Sequence, residues 1–261
     1  MGKIKAQIKN VYHYRFLLTQ LVTKSIKLKY RRSYLGILWS LVEPLLTMMV
    51  LTFIFTTLLG KGDAYFPVYV LSGRLLFSFF STGTKTAMRS IRANAAIIKK
   101  VYVPKYMYPL SACISSFIIS LISLVDLAIV MLIMRMPVNL HIFAAIVPVL
   151  ILFLLAYGVG MILTTVNVFF RDMEYIWDVI SMLIMYTCAI FYKVDTFIGT
   201  TTYWVFRINP LYALIKCFRE CIYGQPMDLR WLGYALACSL ACCLIGSWIF
   251  QRKQNKFIYY I

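Results

Sequence analysis

The chain has 261 residues, 62% of them apolar, with a mean hydropathy of +0.79 and a formal net charge of +18. Ordinary soluble domains hold about 45–50% apolar residues, so this composition excludes a soluble globular fold and indicates an all-α integral membrane protein. The seven cysteines are odd in number, fall mostly inside apolar runs and lack CxxC spacing, which argues against a disulfide framework and a zinc site.

In residues 1–35, nine cations alternate with apolar positions, and Ile4, Ile8, Val11, Leu18, Leu21 and Val22 recur at roughly helical spacing. The pattern predicts an N-terminal amphipathic helix in the membrane interface, with a solvated basic tail as the alternative. Residues 36–261 then form one domain with six apolar segments at about 36–59, 67–86, 109–134, 142–169, 174–192 and 230–250. Crossing a hydrocarbon core of about 30 Å takes roughly 20 helical residues, so each segment is read as a transmembrane helix. The first run starts too late and is too long for a cleaved signal peptide, so Leu35 onward is expected to remain in the mature chain.

Six crossings put both termini on one side. Nineteen of the 27 cations lie in the N-terminal tail, the region from Lys85 to Lys105, Arg171 and the C-terminal tail. The positive-inside rule makes those parts cytoplasmic. The charge is therefore topological, and a nucleic-acid partner is not expected.

Two connections are more than simple loops. Between the second and third segments, MRSIRANAAIIKKVYVPKYMYP places small and apolar residues before Lys99 and Lys100, and Pro104 stops any helix. A short cytoplasmic helix here would press an apolar face on a partner; a loop resting on headgroups is the alternative. Between the fifth and sixth segments, INPLYALIKCFRECIYG has Asn209 as N-cap, Pro210 at the first helical position and Gly224 just past the end. Its 14 residues cover roughly 21 Å, too short to cross, and Lys216, Arg219 and Glu220 oppose full burial. Joined to FIGTTTYWVFR, it is expected to form an outer re-entrant helical hairpin.

Ionisable groups inside a membrane are costly and point to function or structural pairing. Arg74 and Asp126 fall at similar depths in the second and third segments and are expected to pair. Glu43 and Lys85 likewise both fall in the inner leaflet and are expected to pair, although Glu43 can instead face the collar of Arg31 and Arg32. No phosphate-binding GxxxxGK[ST] loop, HExxH or GxSxG motif occurs, and His13 and His141 lie far apart. Catalysis by this chain and a metal site are therefore not expected.

The string KYRRSYLGILWSLVEPLL, Lys29 to Leu46, resembles the opening signature of the permease subunits of ABC-2 type polysaccharide exporters. IIKKVYVPKYMYPL, NVFFRDMEYI and INPLYALIKCFRECIYG are similar to that family's cytoplasmic coupling segment, its junction between the fourth and fifth helices, and its outer re-entrant helix. Glu43 and Arg74 depart from the pattern, where a neutral or amide residue and a small or apolar one are expected.

The resemblance implies a permease of the bacterial cytoplasmic membrane that exports a lipid-linked O-antigen, capsular or teichoic-acid-type polysaccharide. It implies a homodimer bound to two copies of an ATP-binding cassette subunit, which would hold ATP and magnesium, so no cofactor is expected in this chain. An exporter of a drug or small lipid, and a polytopic lipid-modifying enzyme, are the alternatives. By the same resemblance, Ala95, Ala96, Ile97, Ile98, Lys99, Lys100, Val101 and Tyr102 would couple to the ATPase. Lys29, Arg31, Arg32, Glu43, Arg171 and Asp172 would lie at the cytoplasmic entrance and junction. Tyr203, Trp204, Arg207, Asn209 and Pro210 would form an outer gate. The first and fifth helices would line the polymer path; because sugar C–H faces pack on aromatic rings, Trp39, Phe55, Tyr186 and Phe191 are its candidates.

Overall fold

The computed structural model describes residues 13–31, 33–58, 65–101, 103–137, 139–192, 194 and 203–260. All regular structure among them is helical. Helix α1 (Arg15–Tyr30) buries Leu21 and Val22 and leaves Lys24, Lys27 and Lys29 exposed, but Phe16 and Leu28 are exposed as well. Ile4, Ile8, Val11 and Arg32 lie outside the described residues.

A tight turn at Gly36–Leu38 opens on Gly36, whose φ of +52° favours a residue without Cβ, and leads into α2 (Trp39–Phe53). A wide helical turn, Ile54–Leu58, ends α2. Pro44 sits inside α2 and cannot donate to the carbonyl four residues back, that of Ser40. Ser123, on a neighbouring helix, donates its hydroxyl to that oxygen at 2.8 Å. A backbone group freed within lipid must be satisfied by a neighbour, and here the donor is a side chain. Ser123→Ala is expected to lower stability by about 0.5–1.5 kcal/mol, the scale of hydrogen bonds between membrane helices, measurable as a reduced unfolding midpoint in detergent.

Helix α3 (Phe66–Ala93) is the centre of the bundle and packs against α2, α5 (Met107–Ile133), α6 (Ile146–Phe169) and α7 (Met173–Thr187). It runs past the expected end at residue 86, and a one-turn helix, α4 (Ala95–Ile98), follows directly. The far end of the chain supplies α8 (Tyr203–Ile208), α9 (Pro210–Ile222) and α10 (Leu229–Lys253). Helices α6 and α10 approach so closely that a Cβ on Gly246 would lie 2.6 Å from the Gly158 carbonyl oxygen. Lipid supplies no hydrophobic drive between helices, so such small-residue contacts carry the association.

Four helical stretches are long and apolar enough to cross a membrane among the described residues: Gly36–Thr56, Met107–Ile133, Leu140–Phe169 and Leu229–Tyr259. Helix α3 is long enough but carries Arg74, Lys85, Arg89 and Arg92. Helix α7, at 15 residues, is short. Both helix α1 and the C-terminal turn Gln254–Tyr259 gather at one end, where Leu21, Ile91, Ile98, Met107, Phe250 and Phe257 form a cluster. Lys99, Lys100, Arg171 and Lys253 mark this as the basic end. At the opposite, hairpin end, Ala189, Val194, Phe206 and Tyr212 form a separate cluster.

Candidate functional site

At the basic end, α6 stops at Phe169 because Phe170 turns extended, and α7 restarts at Met173. Arg171 and Asp172, in the turn between, are exposed. The residue that organises this junction is Glu174, in the first turn of α7. Arg89 Nε donates to its carboxylate at 2.7 Å, Asn167 Nδ2 at 3.3 Å, and Arg92 Nη1 lies 3.9 Å away. An acid in a first helical turn also meets the positive end of the helix dipole. One turn further, Lys85 reaches Asp178 at 2.7 Å and Trp177 Nε1 donates to Thr84 Oγ1 at 3.1 Å. The two ion pairs recur at four-residue spacing on antiparallel helices, clasping α3 to α7. The expected pairing of Lys85 with Glu43 does not form, because Lys85 faces α7.

Beside the junction, the candidate coupling segment divides into two faces. The Asn94 carbonyl accepts from the Ile97 and Ile98 amides, which starts α4. Ile98 points inward into the basic-end cluster, whereas Ala96, Lys99, Lys100 and Val101 are exposed. Tyr102 lies outside the described residues. Lys105 Nζ donates to the Gln254 carbonyl at 2.7 Å, pinning the following link to the C-terminal turn.

Of the four aromatic path candidates, three come together at the hairpin end. Phe55 stacks on Phe191 with ring centroids 6.0 Å apart, and Phe191 lies 6.4 Å from Tyr186. Trp39 stands at the other end of α2, half exposed beside Lys29, Tyr30 and Glu43 in one cleft. Helices α2 and α7 both leave apolar surface uncovered, including Met49, Val50 and Phe53 on one and Val179, Met182 and Leu183 on the other.

The hairpin follows its sequence punctuation. Asn209 accepts from the Leu211 amide at 3.0 Å and donates to Thr187 Oγ1 at 2.9 Å, Pro210 opens α9, and Gly224 follows with φ +71°. Tyr203, Trp204 and Arg207 lie on α8, where Arg207 covers the exposed Trp204 ring at 5.2 Å. Arg219 corrects the expectation that charges keep α9 from full burial: it is only 7% exposed. Its guanidinium donates to the carbonyls of Ala189 and Tyr69, both at 2.9 Å, and stacks 3.5 Å from the Tyr69 ring centroid. Fixed carbonyl dipoles and a π face replace the water it loses. A Cβ on Gly73 would come within 2.5 Å of Arg219 Nη2, so the glycine on α3 makes room for it. Lys216 and Glu220 stay at the rim, 3.7 Å apart.

The expected Arg74–Asp126 pair does not form. Asp126 is fully buried and neither carboxylate oxygen has a hydrogen-bond partner among the described residues, while Arg74 reaches Met185 Sδ at 4.0 Å. Equal depth on neighbouring helices does not make two side chains face each other; Arg74 lies on the α3 face turned toward α2 and α7.

Comparison with known proteins identifies the family. The family described as ABC-2 type transporter matches residues 17–223. The chain is 27% identical over 243 residues to an O-antigen export system permease protein RfbA of Klebsiella pneumoniae, covering 92% of this chain and 93% of that one. It is 25% identical over 254 residues to the RfbA protein of Myxococcus xanthus, covering 96% and 97%. It is 22% identical over 247 residues to the polysialic acid transport protein KpsM of Escherichia coli, covering 91% and 93%. With the family match running from α1 through the end of α9, the chain belongs to the ABC-2 type transporter family.

Proposed function

We propose that this chain is the permease subunit of an exporter that moves a lipid-linked polysaccharide outward across the bacterial cytoplasmic membrane. The observation that carries the reading is end-to-end similarity to O-antigen and capsule export permeases, more than nine-tenths of both chains in the three comparisons above. Helices α2, α3, α5, α6, α7 and α10 are its six crossings, and the basic end with both termini is cytoplasmic. Helix α1 lies in the cytoplasmic interface, and α8 with α9 forms the outer hairpin.

The chain pairs with a second copy, and the uncovered apolar faces of α2 and α7 meet across the pair to bound the polymer path. The aromatic group of Phe55, Phe191 and Tyr186 stands at the outer end of that path, where C–H faces of sugar rings can pack. Tyr203, Trp204, Arg207, Asn209 and Pro210 belong to the gate above it. At the other end, the exposed part of the coupling segment meets a separate ATP-binding subunit, which holds ATP and magnesium and does the hydrolysis. Closure of two such subunits moves the coupling segments, and the α3–α7 clasp at Glu174 and Asp178 passes a rigid-body motion to the path. Lys29, Arg31, Arg171 and Asp172 line the cytoplasmic approach.

Co-purification with the candidate ATPase tests the coupling surface. Val101→Asp is the informative variant, because Val101 is 56% exposed and an acid there disturbs the contact without entering the core. It is expected to cut recovery of the ATPase at least tenfold while the permease elutes normally. Ile98→Asp would confuse the result, since Ile98 is part of the basic-end cluster. Undiminished recovery with Val101→Asp removes the segment from the coupling role.

A further inference from the structure

Polar side chains from three helices meet in one cleft. On α3, Arg74, Ser78 and Thr82 recur every four residues and share a face; on α5, Ser116, Ser120 and Ser123, four and then three residues apart, also share one. Helix α2 adds Ser40, Glu43 and Thr47, and the end of α1 adds Lys29. The cleft encloses about 170 Å³. It shares Lys29, Thr82 and Ser116 with a larger cleft of about 450 Å³ that lies between α1, α3 and α5 and reaches Lys24 and Asn94 at the basic end.

Hydrogen bonding sorts the lining. Ser40, Thr47 and Ser123 spend their protons on the carbonyls of Ile37, Glu43 and Ser40. Ser78, Thr82 and Ser120 carry no such side-chain bond among the described residues and are free to donate inward. Among the described residues neither Lys29 nor Arg74 is ion-paired, and the one polar side-chain contact of the Arg74 guanidinium is Met185 Sδ at 4.0 Å. A guanidinium at membrane depth without an acid is a costly arrangement unless an anion or water meets it. Glu43 lines the same space without closing on either cation.

Two cations against one acid leave the cleft one positive charge in excess, beside three available hydroxyl donors. A phosphate diester carries one negative charge, and its two unbridged oxygens match the fork of a guanidinium. Glu43 is an acceptor for a hydroxyl or amine on the group esterified to that phosphate. We propose that this cleft binds the phosphate-ester headgroup of a membrane lipid, with Arg74 and Lys29 on the phosphate and Glu43 on a neighbouring donor. An ordinary phospholipid supplies one such diester; the polyprenyl diphosphate carrier of an exported glycan supplies two linked phosphates, whose second negative charge would fall toward Lys24 in the neighbouring cleft. The second rests on the export reading above; the first does not.

The test places the full-length chain, purified with its ATPase partner, in nanodiscs and measures retention of three probes by native mass spectrometry. The probes are phosphatidylglycerol, a polyprenyl diphosphate and a phosphate-free galactolipid. The wild-type protein is expected to retain a phosphate lipid in preference to the galactolipid. Arg74→Gln should weaken that retention at least tenfold, and Arg74→Lys should restore part of it, with unfolding midpoints unchanged. Loss confined to polyprenyl diphosphate identifies the carrier as the guest; loss of phosphatidylglycerol identifies a phospholipid site, which stands even if export fails. Equal retention of all three probes by wild type and Arg74→Gln overturns the proposal, as does a preference for the galactolipid.

Discussion

Arg219→Met is expected to destabilise the folded chain by about 3 kcal/mol, because it removes charge-assisted hydrogen bonds worth roughly 1.5–3 kcal/mol each and leaves acceptors behind. Methionine keeps much of the volume, so packing loss is small and the polar term dominates. The acceptors matter because Ala189 and Ile190 lie just past the end of α7, where Ala189 adopts φ +50° and no helix continues to supply donors. The Tyr69 hydroxyl lies 3.1 Å from the Ala189 carbonyl but only 2.8 Å from that of Tyr192, so its one proton offsets only part of the loss. Arg219→Lys should fall between, since an ammonium holds the charge but cannot span the Tyr69 and Ala189 carbonyls as a planar fork does. Lys216→Met, at the rim of the same helix, is the control and should cost no more than about 1 kcal/mol. Thermal unfolding in detergent, followed by intrinsic fluorescence, ranks the three; an unchanged midpoint for Arg219→Met would refute the anchoring role.

Two glycine-to-alanine changes should move stability in opposite directions. A Cβ on Gly158 would lie 2.6 Å from the Cys243 amide nitrogen, and backbone atoms cannot swing aside as a side chain can. Gly158→Ala must therefore part α6 from α10, at an expected cost of about 3 kcal/mol, the upper range for overpacking. Gly233, on α10, has nothing within 4 Å of its added Cβ. Gly233→Ala should stabilise by about 0.5–1 kcal/mol, since alanine loses less freedom than glycine on entering a helix. An unchanged or raised stability for Gly158→Ala would mean that the α6–α10 contact is looser than the close approach described here.

The helices that were easiest to read were those whose signals are local. Long apolar runs gave α2, α5, α6 and α10 within a few residues, and Asn209, Pro210 and Gly224 marked α9 because capping depends on the residues at the ends alone. The end of α3 was misplaced because Arg89 and Arg92 look like residues leaving the membrane; in the structure they continue the helix and pair with Glu174. Facing directions were the main loss. Depth along a helix can be counted from sequence, but rotation about its axis depends on packing, which is why Arg74 and Asp126 matched in height and missed each other. Arg219 was hidden for a related reason: its partners are carbonyl groups, which every residue has and no motif reveals. A regular stripe of Arg74, Ser78 and Thr82 was present in the sequence and is the pattern that points to the polar cleft.

The central claim is that ATP hydrolysed elsewhere drives a lipid-linked glycan through this chain. The direct measurement uses proteoliposomes holding the permease and its ATPase, with a radiolabelled lipid-linked glycan supplied on the nucleotide side and a glycosidase confined to the other. The account predicts that digestion rises with ATP, stays at background with a non-hydrolysable analogue, and is lost in Val101→Asp. Digestion that is the same with ATP and with the analogue, or that survives Val101→Asp in full, would contradict it.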